Sequence, residues 1–495
     1  MSSVIIRWNN CTNASIECER SVLMELHEEY SFEVPSARFT PQYRSGRWDG
    51  WIRLVHLDGS LPVGLVSTVM KFLKGAGHEC RISKEFQLFK HKFDFTWESL
   101  NLGFEPWDHQ KEAVRLALER KRQIILSPTS SGKSLSIYGI AKTLSDNQLK
   151  TLIVVPSIML VNQLKGDFGD YSSHDESWDV DERVHLIAEG AQKDTDKNLT
   201  ISTWQSLQYV KNASWFEQWD AIIVDEAHGA KATELKNIMD KSVNAFYRIG
   251  LTGTLDGTLT SEMALVAMFG PVTRVATTKE LQDKGIISNV AVKAVVLKYP
   301  EADCKIFAGK MIDGKRVKPT YDEEMEYIYA NTPRNVFISN LVKSTSGNTL
   351  VLVSKIENHG KPLFEMMKEI CQNKEVYLIY GKTESEDRES IRKLAETKDN
   401  IVIIATYKLF STGVSIKRLH NIVFGSPSKS VIRVLQSIGR VLRLHESKLI
   451  ANVFDIVDDF RGKKKTANYA VAHFLERVKI YQKEKFKFEM FDRII

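Results

Sequence analysis

Ser127-Pro128-Thr129-Ser130-Ser131-Gly132-Lys133-Ser134 decides the fold. Arg122–Leu126 before it is apolar and β-branched enough for a buried strand, and the residues from Ser134 to Ala141 after it suit a helix. Strand, small-residue loop and helix in that order form a phosphate-binding loop. Its backbone N–H groups and the helix N-terminus present positive charge to phosphate. Lys133 would add a full charge at the β/γ-phosphates, and the Ser134 hydroxyl would ligate Mg²⁺. The common form of the loop begins with Gly, where this chain has Ser127. A small-residue turn before an ordinary helix is the plainer alternative.

Asp225-Glu226-Ala227-His228 begins 92 residues after Lys133, at the end of the apolar run 219–224. That run suits a central parallel strand whose C-terminal end faces a nucleotide. Asp225 would hold Mg²⁺ through water, and Glu226 would orient or deprotonate the attacking water. The expected cofactors are ATP and Mg²⁺.

Further segments follow in order. Trp107 and Gln110 precede the loop, with Gln110 suited to an adenine edge and Trp107 to its face or to core filling. Val154-Val155-Pro156-Ser157 and the run 201–206, with Thr203 and Gln205, end strands in small polar residues that could offer donors to a nucleic-acid backbone. Leu251-Thr252-Gly253-Thr254 closes another strand. A second series of apolar strands starts at Thr349 and includes 376–381 and 401–406, with Thr406 assigned to the nucleic-acid track. Ser411-Thr412-Gly413-Val414-Ser415 and Gln436-Ser437-Ile438-Gly439-Arg440-Val441-Leu442-Arg443 follow. Steps of 4 and 3 residues place Gln436, Arg440 and Arg443 near one helix face. Guanidinium groups there could stabilise a γ-phosphate in the transition state, although alone the motif would read as a solvated basic face.

This ordered set resembles superfamily 2 helicases and translocases over about the last four-fifths of the chain. The resemblance implies two RecA-like parallel-sheet lobes closing on ATP. It puts Lys133, Ser134, Asp225 and Glu226 in the first lobe and Arg440 and Arg443 in the second. It makes Thr252 and Thr254 a coupling motif and Gly413 a link between ATP and the nucleic-acid track. RNA-directed members usually carry Ser-Ala-Thr at Thr252-Gly253-Thr254 and often Arg-Ala-Gly-Arg at Arg440-Val441-Leu442-Arg443. The chain therefore leans toward the DNA-directed branch with RecG-like and XPB-like enzymes. With its N-terminal segment around Arg44–Trp51 included, it resembles the recombination helicases of T-even bacteriophages. That resemblance implies ATP-driven remodelling of branched DNA: fork regression, Holliday junction branch migration and R-loop unwinding, in recombination, repair and replication control. An RNA helicase, a duplex translocase and a nucleotide-switched branched-DNA binding protein are the alternatives.

The expected domains are a small α/β nucleic-acid-binding domain (1–90), RecA-like lobe one (91–280) and RecA-like lobe two (281–495) with a basic C-terminal helical segment. In the first, a helix spans about Cys18–Tyr30, a strand about Trp51–Leu57, a hairpin turn Asp58-Gly59 and a helix about Val66–Leu73. Arg44, Arg47 and Trp48 are candidate nucleic-acid contacts, arginine beside aromatic suiting phosphate contact plus base stacking, while Trp51 is expected in a small core. Residues around 277–282 would link the lobes, and 300–332 has no clear pattern. Val471, Phe474, Leu475, Val478 and Tyr481 have the spacing of an amphipathic helix. Phe486, Phe488, Met490 and Phe491 after it would pack or act as a strand-separating wedge.

The 495 residues carry a net charge of +6, which suits a polyanion partner only weakly. Five scattered cysteines without a Cys-x-x-Cys pair indicate neither a disulfide framework nor a zinc site, as in a reducing cytoplasm (that of the host, for a phage-encoded chain). No signal peptide and no membrane partner are expected. DNA is the expected partner, especially branched DNA and RNA–DNA hybrids, bound by a monomer or a weakly self-associating chain.

Overall fold

A computed structural model describes the chain except residues 1–2, 36, 88–94, 189–191, 232, 256, 313–314, 412–415, 447, 449 and 463–466. It divides into two compact units, residues 1–128 with 132–276, and residues 277–495 with loop residues 129–131.

The first unit opens with a four-stranded sheet in the order Ser60–Pro62, Asn13–Glu17, Ser3–Trp8, Glu79–Ile82. Alternation along Ser3–Trp8 buries Val4 and Ile6 and leaves the intervening side chains partly wet. Helices Arg20–Glu29 and Val66–Gly75 bury Val22 and Leu26, and Val66, Val69 and Leu73. The expected strand over 51–57 is shorter. Trp51–Arg53 pairs only with Ser31–Glu33, and the turn at Asp58-Gly59 leads into Ser60–Pro62, which pairs with Asn13–Glu17. In that two-stranded ribbon Trp51 is 40% exposed, not in a core.

This small sheet is fastened to the lobe that follows. Cys11 N–H donates to Val243 O at 2.9 Å. Arg248, almost fully buried, donates to Thr12 Oγ1 and Ser242 O, each at 2.7 Å. Arg122 donates to the Cys11 carbonyl. At Gly64 a Cβ would lie 2.2 Å from Val266 O, so only glycine permits this approach.

Lobe one is a seven-stranded parallel sheet in the order Val272–Arg274, Arg122–Leu126, Tyr247–Thr252, Ala221–Asp225, Thr151–Val155, Leu199–Thr203, Val184–Ile187. Helices on both faces bury the central strands, which explains why 221–224 and 151–155 read as unbroken apolar runs. Parallel pairing brings the ends of Arg122–Leu126, Ala221–Asp225 and Tyr247–Thr252 to one edge.

The second unit holds another seven-stranded parallel sheet, ordered Glu375–Ile379, Ile401–Thr406, Asn348–Val353, Leu419–Phe424, Ile450–Asp459, Asn289–Lys298, Lys487–Ile494. The segment expected to link the lobes begins where the second unit begins and is helical, Thr278–Asp283, started by a capping box between Thr277 and Glu280. Residues 300–332 form helices Glu301–Phe307 and Tyr321–Ala330 around a short hairpin, Lys310–Ile312 with Lys315–Val317. The expected amphipathic helix is Tyr469–Lys483, burying Val471, Phe474 and Tyr481. The chain then adds an edge strand, Lys487–Ile494, in which Phe488 packs on Phe474 and Tyr481. Among the described residues no helix is long and apolar enough to cross a membrane.

Candidate functional site

The phosphate loop leaves strand Arg122–Leu126 and enters helix Lys133–Asp146. Ser127 N–H donates to Thr252 O at 3.0 Å, tying the loop's start to the neighbouring strand. Ser130 and Gly132 have φ of 68° and 77°. Such a turn points successive N–H groups toward one concavity. Gly132 has a second reason to be glycine, because a Cβ would lie 2.3 Å from Gln110 Nε2. Gln110 is buried, donates to Gly132 O at 3.3 Å and accepts from Trp107 N–H at 2.9 Å. It thus braces the loop from the start of helix Asp108–Arg120. Trp107 is 41% exposed and stacks on His109, so it is available to a base and is not core.

Asp225 ends its strand, and Glu226 stands in the left-handed region at φ 51°. A non-glycine residue there is uncommon. Lys133 Nζ lies 3.7 Å from Glu226 Oε1. His228 Nδ1 lies 3.3 Å from Glu226 Oε2 and 2.8 Å from Thr252 Oγ1. The Thr252 hydroxyl also donates to Thr254 O at 3.0 Å. Lys133, Glu226, His228, Thr252 and Thr254 are therefore one polar network. Burial and the adjacent Glu226 charge push the Asp225 carboxyl up to about 6, with Lys133 opposing.

The Ser134 hydroxyl pairs with Tyr171 OH at 2.7 Å. Sequence reasoning missed this tyrosine, which lies 37 residues downstream and carries no local signal. The Ser134 hydroxyl and the Asp225 and Glu226 carboxylates are hard oxygen donors, fitting a small dication that keeps most of its waters. Among the described residues no group of three or more His, Cys, Asp or Glu could hold a metal.

The nucleic-acid candidates fall in different places. Ser157 and Thr203 are N-caps, accepting from Leu160 N–H and Ser206 N–H. Thr203 is 2% exposed, so its hydroxyl is spent locally, whereas Gln205 is exposed and Pro156 is half-buried. Thr406 caps Tyr407–Ser411 by accepting from Leu409 N–H at 3.3 Å. Arg44 and Arg47 are exposed and make no side-chain hydrogen bond or ion pair among the described residues. Trp48 is half-buried, its indole donating to Trp51 O at 2.8 Å. Phe39 and Tyr43 beside them are exposed.

In the second unit, Gln436 and Arg440 lie on helix Val431–Val441. Arg443 lies two residues past its end, so the expected common helix face covers only the first two. The turn holding Arg443 is fixed by Ser288, whose N–H donates to Leu442 O at 2.7 Å and whose hydroxyl donates to Arg443 O at 3.2 Å. Gly413 lies outside the described residues.

Three family matches tile the chain: the N-terminal family of DNA helicase UvsW over residues 3–83, the type III restriction enzyme res-subunit family over 103–257, and the helicase conserved C-terminal domain over 333–445. The chain is 33% identical to the ATP-dependent DNA helicase uvsW of Enterobacteria phage T4, over 98% of both proteins. It is 26% identical to the DNA 3'-5' translocase XPB2 of Sulfurisphaera tokodaii, over 79% of this chain and 89% of that one. A fragment of a type I restriction enzyme HsdR subunit from Vibrio vulnificus shares the fold at a TM-score of 0.58, with 16% identity over 81% of this chain and 72% of the other. With whole-length identity at that level and the N-terminal module included, the chain belongs to the UvsW family of ATP-dependent DNA helicases.

Proposed function

We propose that this chain spends ATP to move along DNA and remodel branched DNA: regressing forks, migrating Holliday junctions and unwinding R-loops, including their RNA–DNA hybrids. The observation that carries the reading is the network from Lys133 through Glu226 and His228 to Thr252 and Thr254. It links the residues that would meet the γ-phosphate to the segment that the superfamily resemblance makes a coupling element. Hydrolysis could thereby be felt beyond the nucleotide.

In this reading the N–H groups of residues 127–133 and the helix N-terminus hold the phosphates. Trp107 meets the adenine, and Gln110 braces the phosphate loop beneath it. Lys133 neutralises charge on the β/γ-phosphates, and Ser134, with Asp225 through water, would hold Mg²⁺, which supplies further charge neutralisation when bound. Glu226 accepts a proton from the attacking water. His228, between Glu226 and Thr252, orients Glu226 and reports its state to Thr252. Arg440 and Arg443 stabilise transition-state charge, with Gln436 beside them and Gly413 relaying toward the DNA track. Pro156, Ser157, Thr203, Gln205 and Thr406 would lie along a DNA strand, Thr203 through its backbone. Arg44, Arg47 and Trp48 would engage the branch, with exposed Phe39, Tyr43 and Trp51 as stacking surfaces. The working division is residues 1–90, 91–280 and 281–495, in a monomer or weak oligomer.

The test is steady-state ATP hydrolysis with no nucleic acid, single-stranded DNA, duplex, a fork, a four-way junction, and RNA. Branched DNA is expected to stimulate most. Stimulation by RNA alone would overturn the DNA assignment, and no stimulation by any would favour a nucleotide-switched binding protein.

A further inference from the structure

Helix Val431–Val441 is reached from strand Leu419–Phe424 through residues 425–430. Three carbonyls of this short connection are held by side chains from three separate helices. Gly425 O accepts from Arg334 Nη2 at 2.7 Å, Ser426 O from Tyr407 OH at 2.8 Å, and Ser428 O from Arg477 Nη1 at 2.7 Å. The Ser426 hydroxyl accepts from Ser354 N–H at 3.0 Å and pairs with His359 Nδ1 at 3.0 Å.

Each arginine is itself anchored. Arg334 donates from Nε and Nη2 to Asp458 at 2.6 and 3.1 Å, and Tyr299 OH donates to the same carboxylate at 2.8 Å. Arg477 donates from Nε and Nη2 to Asp455 at 2.8 and 2.7 Å, and Tyr481 OH donates to it at 2.7 Å. All four charged side chains are 0–1% exposed. Both aspartates stand on strand Ile450–Asp459, in the sheet's interior. At the far end of the helix the buried Lys448 ammonium donates to Val441 O at 2.7 Å, Leu419 O at 2.8 Å and Lys417 O at 3.0 Å.

Buried ion pairs seldom stabilise a fold more than well-packed apolar side chains would, because desolvation cancels most of the attraction. They do fix geometry, since a buried donor left without its acceptor is costly. Two such pairs and a lone ammonium converge here on backbone carbonyls at both ends of one helix. That arrangement has little value for stability and high value for placement.

We propose that Arg334, Arg477 and Lys448 are positioning residues that set the helix bearing Gln436 and Arg440, and the turn bearing Arg443, against the sheet. The helix then moves only as part of lobe two. This inference rests on the reading of Arg440 and Arg443 as groups that act on the nucleotide.

The test replaces one whole anchor, Arg477→Met with Asp455→Leu and Tyr481→Phe, so that no buried charge is stranded. The full-length variant is expected to keep its melting temperature within a few degrees and its affinity for a fluorescent ATP analogue. The kcat of DNA-stimulated hydrolysis is expected to fall about tenfold with KM for ATP little changed, as small misplacements of reacting groups do. Arg477→Lys, which keeps a cation beside Asp455, should retain more of kcat. A folded triple variant with native kcat would overturn the proposal. If the triple variant does not fold, Tyr407→Phe decides: it removes only the donor to Ser426 O, a kcat lowered at constant KM supports the proposal, and a native kcat overturns it. Arg440→Ala run in parallel separates the two layers. Native kcat in that variant refutes the nucleotide role of the helix, whereas loss in Arg440→Ala without loss in the anchor variants refutes only the positioning role.

Discussion

The two lobes share a seven-stranded parallel sheet but use charge in opposite ways. Lobe one keeps Lys133, Asp225 and Glu226 at strand and helix ends, half-buried, with Lys133 and Glu226 as far as 3.7 Å apart. Its charges are held loosely by one another and, in the proposed reading, would meet a nucleotide's phosphates. Lobe two sinks Arg334–Asp458 and Arg477–Asp455 fully inside, with short bonds to the backbone. Its interior charges bond backbone carbonyls of the connection before helix Val431–Val441, the basis for the positioning role proposed above. The proposed readings give the edge charges of lobe one chemistry and the interior charges of lobe two alignment.

Four measurements sharpen or break this contrast. The largest effect is expected at Lys133→Ala, which should abolish ATP hydrolysis while leaving DNA binding and thermal stability close to native. Equal loss of hydrolysis and DNA binding in a folded variant would mean that Lys133 is structural. Next, Arg334→Met strands the Asp458 carboxylate and should destabilise lobe two by roughly 3–5 kcal/mol in chemical denaturation. A loss below about 1 kcal/mol would put Arg334 on the same footing as a surface charge.

The third concerns acid. Burial, then Arg477 and Lys429, lower His473 to about 4, and burial with Arg334 holds His359 well below its usual value. A histidine depressed in the folded state is protonated first in the unfolded chain. Its contribution is therefore intact above about pH 6.5 and is lost as pH falls toward about 4. His473→Gln should flatten the pH dependence of unfolding in that window by on the order of 2 kcal/mol. An unchanged slope would contradict its neutral burial. The smallest effect is expected at the double change Arg44→Ala with Arg47→Ala. Junction affinity should drop several-fold and the salt slope by about two, with unstimulated hydrolysis unchanged. An unchanged salt slope would remove these arginines from the DNA interface.

Lobe one was readable from sequence because its chemistry is contiguous. Ser127–Ser134 and Asp225–His228 carry residue type, spacing and flanking strand within a few positions. Lobe two's anchors were not readable. Arg334 and Asp458 are 124 residues apart, and an arginine inside helix Thr332–Ser344 looks like any solvated one until the strand is placed. Trp51 was misplaced for a different reason: aromatic alternation suggested a core strand, yet the ribbon of Trp51–Arg53 with Ser31–Glu33 lies outside the four-stranded sheet. The edge strand Lys487–Ile494 read as an aromatic tail because its side chains are mostly exposed and show no clean alternation.

The most direct measurement of the central claim is conversion of a labelled four-way junction, comparing the native chain with Glu226→Gln. Native protein with ATP is predicted to convert the junction to duplex products, while Glu226→Gln binds ATP and junction but converts none. Conversion by Glu226→Gln at the native rate, or brisk native hydrolysis without any conversion, would contradict the account.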